Sequence, residues 1–350
     1  MSTDRRSAKL DERLQQANLS LADKIELLKR LSPPNDLTGE SEEIRMERLL
    51  LSIAPEALPF LKYSVDYDGD YKDMVEYILH DIDDQDHQKA LIEHFAKTAV
   101  HQGAVKVLSD VDDTMYANLV DERYPKKIFY PGVLAFYAAL ANEPFAHQGT
   151  PITTLSARPN PIGGIGEEGS INGIIEKTKG QLCPTGLSGE VFSSLVGTGE
   201  TGARKYLERL QRNSKDELGK IALHANEDNI GKVKFANFAA YALIYPDYHF
   251  VFIGDSGQAD GLTAAAMVSQ QALPCQESTI ISCQDIKKGR ERVLTSFIHD
   301  LGRHAPNNVN SHSFRNLDNR LKTTAESANP HGIIVFRNYI EAATVATAFS

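Results

Sequence analysis

The segment Ser109-Asp110-Val111-Asp112-Asp113-Thr114 places three carboxylates just after the apolar run Val105 to Leu108. Carboxylates crowded at the end of a hydrophobic strand repel one another, so full ionisation is costly unless a cation is bound. Mg²⁺ suits such a place: it takes one or two protein carboxylates, keeps several waters and accepts phosphate oxygens in its other positions. An aspartate can also attack phosphorus, and the resulting aspartyl-phosphate divides one difficult displacement into two easier ones. A second aspartate two residues on can carry the protons. Asp110 and Asp112 fit these two roles, because alternation along an extended strand turns both to one side while Val111 packs on the other.

A second acidic segment, Gly254-Asp255-Ser256-Gly257-Gln258-Ala259-Asp260, follows the apolar run Phe250 to Ile253 and adds Asp255 and Asp260 as metal carboxylates beside Asp110 and Asp112. Phosphoryl transfer further needs donors and positive charge around the equatorial oxygens. Ser156, after the run Ile152 to Leu155, offers a hydroxyl, and Thr114 and Arg158 complete the expected substrate-binding set. A lysine comes from Gly231-Lys232-Val233-Lys234-Phe235, where it would bind phosphate and restrain the nucleophile's charge; Lys234 is preferred, with Lys232 left open.

These polar ends need elements to hold them together. Short apolar runs ending in polar residues and alternating with helical stretches predict a parallel sheet flanked by helices. Ligands of such sheets bind outside the carboxyl ends of the strands, so the ends at Asp110, Ser156 and Asp255 are expected to face one crevice. Ser278 to Cys283 reads as a further strand, Pro131 to Phe136 as the start of a helix on the sheet, and the glycine-rich stretch from Pro159 to about Arg204 as a loop or partial cap. Before this, apolar residues recur at helical spacing, as in Leu21, Ile25 and Leu28, with Ser20 placed to cap that helix. The resulting division is a helical domain over 1–100, an α/β catalytic domain over 101–300 and a helical extension over 301–350.

Composition narrows the function classes. A net charge of −10 without a lysine- or arginine-rich stripe excludes a general nucleic-acid binder. Cys183, Cys275 and Cys283 have neither C-x-x-C spacing nor a histidine at zinc-ligand distance, which predicts no disulfide framework, no structural zinc and a reducing, cytoplasmic setting. No apolar run reaches the roughly 18 residues of a membrane span. Asp66-Tyr67-Asp68-Gly69-Asp70 fails as a calcium loop because Tyr77 stands where the closing glutamate belongs. The two G-x-G-x-x-G matches at 164–169 and 197–202 follow no convincing strand.

Taken in order, D-x-D-x-T, the strand-end serine, the lysine and G-D-x-x-x-x-D resemble the motifs of haloacid dehalogenase phosphatases. In detail S-D-V-D-D-T, Y-P-G-V, L-S-A-R-P and K-F-A-N-F-A-A-Y-A-L-I-Y-P-D-Y-H-F-V-F-I-G-D-S-G-Q-A-D are similar to the catalytic domain of the actin-patch type of phosphatidate phosphatase, which is related to lipins, over about residues 105–290. That resemblance implies a haloacid dehalogenase-like Rossmannoid sheet and Mg²⁺-dependent conversion of phosphatidate to diacylglycerol at a peripherally contacted membrane. It puts the nucleophile on Asp110, the acid/base on Asp112, the metal aspartate on Asp255 and the lysine on Lys234. Where fungal members carry serine-proline-tryptophan, this chain has Ser156-Ala157-Arg158-Pro159-Asn160 and no tryptophan at all. The alternatives are the same mechanism on a soluble phosphometabolite or phosphoprotein, and an inactive module that binds lipid or protein. Lys126 and Lys127 with Ile128, Phe129 and Tyr130 read either as a membrane-facing flap or as an exposed turn.

Overall fold

The computed structural model describes residues 19–32, 40–67, 72–82, 84–97, 104–140, 150–156, 165–188, 227–257, 259–269, 280–301 and 332–347. Successive side chains of a strand leave on opposite faces. Here both faces are apolar: Val107 and Leu108 of β1 (Val105–Ser109) and Val251 and Phe252 of β4 (His249–Asp255) are all buried. Strands of that kind need cover on both sides, which a parallel sheet between helices provides. With β2 (Thr150–Ser156), β3 (Leu182–Ser188), β5 (Val293–His299) and β6 (Ile333–Phe336), they form one all-parallel six-stranded sheet in the order β3-β2-β1-β4-β5-β6. The chain winds one way from β1 to β3 and the other way from β4 to β6. The switch point of this Rossmann-like α/β sheet therefore lies between β1 and β4.

The helices are α1 (Leu21–Leu31), α2 (Glu40–Leu51), α3 (Leu58–Asp66), α4 (Gln85–Phe95), α5 (Val133–Leu140), α6 (Ile165–Thr178), α7 (Glu227–Ile244), α8 (Asp260–Val268), α9 (Cys283–Glu291) and α10 (Tyr339–Ala346). Ser20 caps α1 as its spacing predicts, accepting from Asp23 N at 3.2 Å while the Asp23 carboxylate accepts from Ser20 N at 3.1 Å. Side chains from α1 to α4 join those of α7, α8 and α9 in one hydrophobic cluster with Leu108, Leu155, Phe250 and Phe252. The helical N-terminal stretch thus shares a core with the sheet. The other face carries a second cluster, in which Val107, Ile152, Val251 and Phe297 meet α5 and α10 through Phe136, Tyr137 and Tyr339.

Several expectations need correction. The stretch read as a loop or partial cap contains α6 and β3. Pro184 and Gly186 disguise β3, but it is the edge strand, where proline is tolerated. Residues 280–282 are not a strand; Ser282 caps α9, and the further strand is β5. The C-terminal stretch supplies β6 as well as a helix, so it completes the sheet instead of extending from it. Cys183 is buried and lies outside any disulfide, whereas Cys283 is disulfide-bonded, a pairing that no local spacing announces. Among the described residues no helix is long and apolar enough to cross a membrane.

Candidate active site

The switch point is where the acidic segments converge. Asp110 lies one residue beyond β1, and its N–H still donates to Ile253 O of β4 at 2.8 Å, so its backbone is held by the ladder. Asp255 ends β4, and Asp260 opens α8. Asp110, Asp255 and Asp260 are buried, with one carboxylate oxygen from each lying within 4.8 Å of the others.

Two glycines make this convergence possible. A Cβ on Gly254 would come within 2.5 Å of Asp260 Cβ, so only glycine lets Asp260 fold back onto the end of β4, where its Oδ2 accepts from Asp255 N at 3.1 Å. Gly257 N donates to Asp255 Oδ1 at 2.6 Å, and a side chain there would press on that same oxygen.

Lys234 resolves the choice between the two lysines. On α7 it belongs to the buried stripe continued by Phe238, Tyr241 and Tyr245, whereas Lys232 is exposed. Its ammonium donates to Asp110 Oδ1 at 2.7 Å and to Asp260 Oδ1 at 2.5 Å. Burial pulls this ammonium's pKa down, but the charges of Asp110 and Asp260 outweigh that and hold it above the ordinary lysine value. With all three ionised, three carboxylates against one ammonium would leave two negative charges, the charge of one divalent cation.

That imbalance appears in the titration of the group. Burial pushes Asp110 up to about 7, with Lys234 opposing and the neighbouring Asp260 and Asp112 charges adding to the rise. Asp255 is raised well above the carboxylate range by burial and then by Asp260 and Asp110. Asp110 Oδ2 and Asp255 Oδ2 are buried with no hydrogen-bond partner, in a protein interior where polar groups are almost always satisfied. A hard cation would bind these oxygens, so the three carboxylates could hold a metal ion.

The loop beyond Asp110 departs from simple alternation. The strand stops at Ser109, and Met115 N donates to Val111 O at 2.9 Å to close a turn. Val111 packs inward as expected. Asp112 is buried nearby, with its Oδ1 accepting from Asn118 Nδ2 at 2.7 Å, but it stands outside the group of three carboxylates. Asp113 has φ +55°, and its carboxylate accepts from the backbone N–H groups of Asn118, Leu119, Val120 and Asp121 at 2.7–3.1 Å. It is a structural knot that the sequence does not separate from its neighbours. Thr114 is fully buried with its hydroxyl unpartnered.

Ser156 ends β2 two residues past the Ser109–Thr154 pair, at the same edge of the sheet; its side chain and all of Arg158 lie outside the described residues. Past the loop, Tyr116 bridges Phe129 in antiparallel fashion, and Lys127 N donates to Ala117 O at 2.6 Å. This makes a hairpin that exposes Lys126, Lys127 and Ile128, the last by 53 %, while Tyr130 is buried. Sequence reasoning missed Tyr137, whose hydroxyl lies 2.6 Å from Ser109 Oγ, and His299, whose Nδ1 lies 3.2 Å from Asp113 O. Neither carries a motif. Comparison with family models, with curated proteins and with solved structures finds no match.

Proposed function

We propose that this chain is a Mg²⁺-dependent phosphomonoester hydrolase of the haloacid dehalogenase type, with Asp110 as nucleophile and phosphatidate as substrate. The observation that carries the reading is the pair of buried, unpartnered carboxylate oxygens on Asp110 and Asp255, set beside Lys234 at the switch point. Buried charge without compensation costs several kcal/mol. A fold that keeps it past the ends of β1 and β4, at the switch point where ligands of such sheets bind, points to a bound cation and an anionic substrate.

A carboxylate oxygen of Asp110 forms a bond to phosphorus while the ester P–O bond breaks, and the leaving alkoxide takes a proton from Asp112. Water then gives a proton back to Asp112 and attacks the same phosphorus; the bond to Asp110 breaks and inorganic phosphate leaves. Lys234 offsets the charge on Asp110 between these steps, and Thr114 and Ser156 offer hydroxyls to the phosphoryl oxygens. Asp110, Asp255 and Asp260 would hold Mg²⁺, which would supply charge neutralisation for the phosphoryl group.

The lipid assignment rests on the motif resemblance, and two features accord with it. Lys126 and Lys127 are exposed in a chain of net charge −10, and next to them run Ile128 and an apolar groove of about 470 Å³ lined by Phe129, Val133, Leu134 and Ala138. In this reading the protein touches membranes from one side. Phosphate release from phosphatidate in mixed micelles, compared with release from glycerol phosphate and phosphopeptides, tests it. Release from phosphatidate alone supports the lipid reading. Release from the soluble esters alone keeps the mechanism and assigns a phosphometabolite or phosphoprotein, and silence on every ester with or without metal leaves an inactive lipid- or protein-binding module.

A further inference from the structure

The last helix of the chain reaches back to the loop that carries the nucleophile. Tyr339 opens α10, and its hydroxyl donates to the backbone carbonyl of Thr114, 225 residues earlier. The ring has no room to turn. It stacks on Tyr130 at 6.0 Å between centroids and lies 4.9 Å from Phe336, 5.4 Å from Phe136 and 5.4 Å from His299. His299 in turn contacts the preceding carbonyl, that of Asp113. Two consecutive peptide groups are thus tied by side chains from β5 and α10.

The peptide held in this way is under constraint. Asp113 sits at φ +55°, in the left-handed region that aspartate visits more readily than most residues, and four backbone N–H groups on its carboxylate hold it there. One residue on, the Thr114 hydroxyl is buried and unpartnered, which is unfavourable in the resting protein and useful only where a ligand oxygen arrives. A small tilt of the peptide on either side of Thr114, the one His299 contacts or the one Tyr339 holds, would move that hydroxyl with it, and catalytic groups tolerate little displacement.

We propose that Tyr339 is a positioning residue: its hydroxyl fixes the Thr114 peptide so that the Thr114 side chain is preset to donate to the substrate's phosphoryl group. The catalytic part rests on the phosphohydrolase reading, whereas the restraint on the loop does not. A tyrosine that merely filled the core would be replaced without catalytic cost by phenylalanine, which keeps the ring and removes only the hydroxyl.

The test is Tyr339→Phe in the full chain, with p-nitrophenyl phosphate and Mg²⁺ as the assay, and Thr114→Ala and the double variant beside it. Tyr339→Phe is expected to lower kcat about tenfold, the scale of one neutral hydrogen bond, with KM nearly unchanged. In the Thr114→Ala background the same change is expected to have no further effect, because the group it positions is gone. Amide exchange of peptides spanning 110–121 should quicken, while peptides from β1, β4 and β5 keep their rates. Unchanged kcat, an equal loss in both backgrounds, or exchange that quickens uniformly across the sheet would each overturn the proposal. If the wild type hydrolyses no phosphomonoester, the phosphatase reading fails, and the exchange comparison alone then decides whether Tyr339 restrains the loop.

Discussion

The two ends of β1 each bury a lysine with aspartates, and the two arrangements differ in what they leave open. Near its start, Lys106 donates to Asp66 Oδ2 at 2.7 Å, lies 3.9 Å over the Tyr245 ring, and Tyr245 Oη fills Asp66 Oδ1 at 2.9 Å. Asp73 beside it accepts from Tyr241 Oη at 2.6 Å and from Val75 N at 2.9 Å. The cavity there, about 10 Å³, admits at most one water. Past the other end, Asp110 and Asp255 each keep a buried oxygen with nothing to bond. A closed network of this kind ties α3 and α7 to the sheet, whereas an open one is prepared for a ligand. Buried charge alone does not single out a candidate site; buried carboxylate oxygens left without partners at the switch point do.

Substitutions at the two ends should therefore separate activity from stability. The largest effect is expected from Asp110→Asn: with Asp110 as the proposed nucleophile, the change should cut phosphate release by about a thousandfold or more. Its metal-free thermal stability should hold or rise, since a costly buried charge is removed. Lys106→Met is expected to do the reverse. Leaving Asp66 uncompensated should cost about 3–5 kcal/mol in urea unfolding while kcat of the remaining folded protein stays within about twofold. A fall in kcat comparable to that of Asp110→Asn would erase the distinction between the two ends.

Metal and pH sharpen the comparison. Asp110 titrates near 7 in the folded, metal-free protein but near 4 when unfolded, so the folded state holds a proton through that window that the unfolded state has lost. Metal-free stability should therefore decline as pH rises from about 4 to about 7. A divalent cation replaces that proton, so the Tm gain on adding Mg²⁺ should be larger at pH 8 than at pH 5.5, with about 2.7 kcal/mol expected at a hundredfold excess over Kd. The same gain should persist in Lys106→Met and vanish in Asp110→Asn, as differential scanning fluorimetry can show. The smallest effect is expected from Tyr241→Phe, which removes one hydroxyl from Asp73 and should cost about 1 kcal/mol with no change in metal response.

Much of the open end was legible in the sequence, and little of the closed end was. Asp110 and Asp255 announce themselves because acidic residues at the ends of apolar strands have no packing reason to be there, and Asp260 through its place in G-D-x-x-x-x-D. Lys234 is legible only through order along the chain, since nothing local shows that its stripe of α7 faces the sheet. Lys106 gives no sign, because a lysine within a strand ordinarily reads as a solvated alternate position; here Asp66, 40 residues away, and Tyr245 bury it. Among the strands, β3 was hidden by Pro184 and Gly186, whose missing side chain makes room for Thr154, and β6 by its four-residue length. Asp112 and Asp113 show the limit of strand alternation: one residue past Ser109 the chain turns, and the two carboxylates part, Asp113 into a backbone knot and Asp112 toward Asn118.

The most direct test of the central claim is phosphate release from phosphatidate micelles and from a soluble phosphomonoester, with Mg²⁺ or with EDTA, by the wild type, Asp110→Asn and Asp112→Asn. Metal-dependent release by the wild type, abolished by both substitutions, is the expected result. Release that survives Asp110→Asn, or that ignores EDTA, would contradict it.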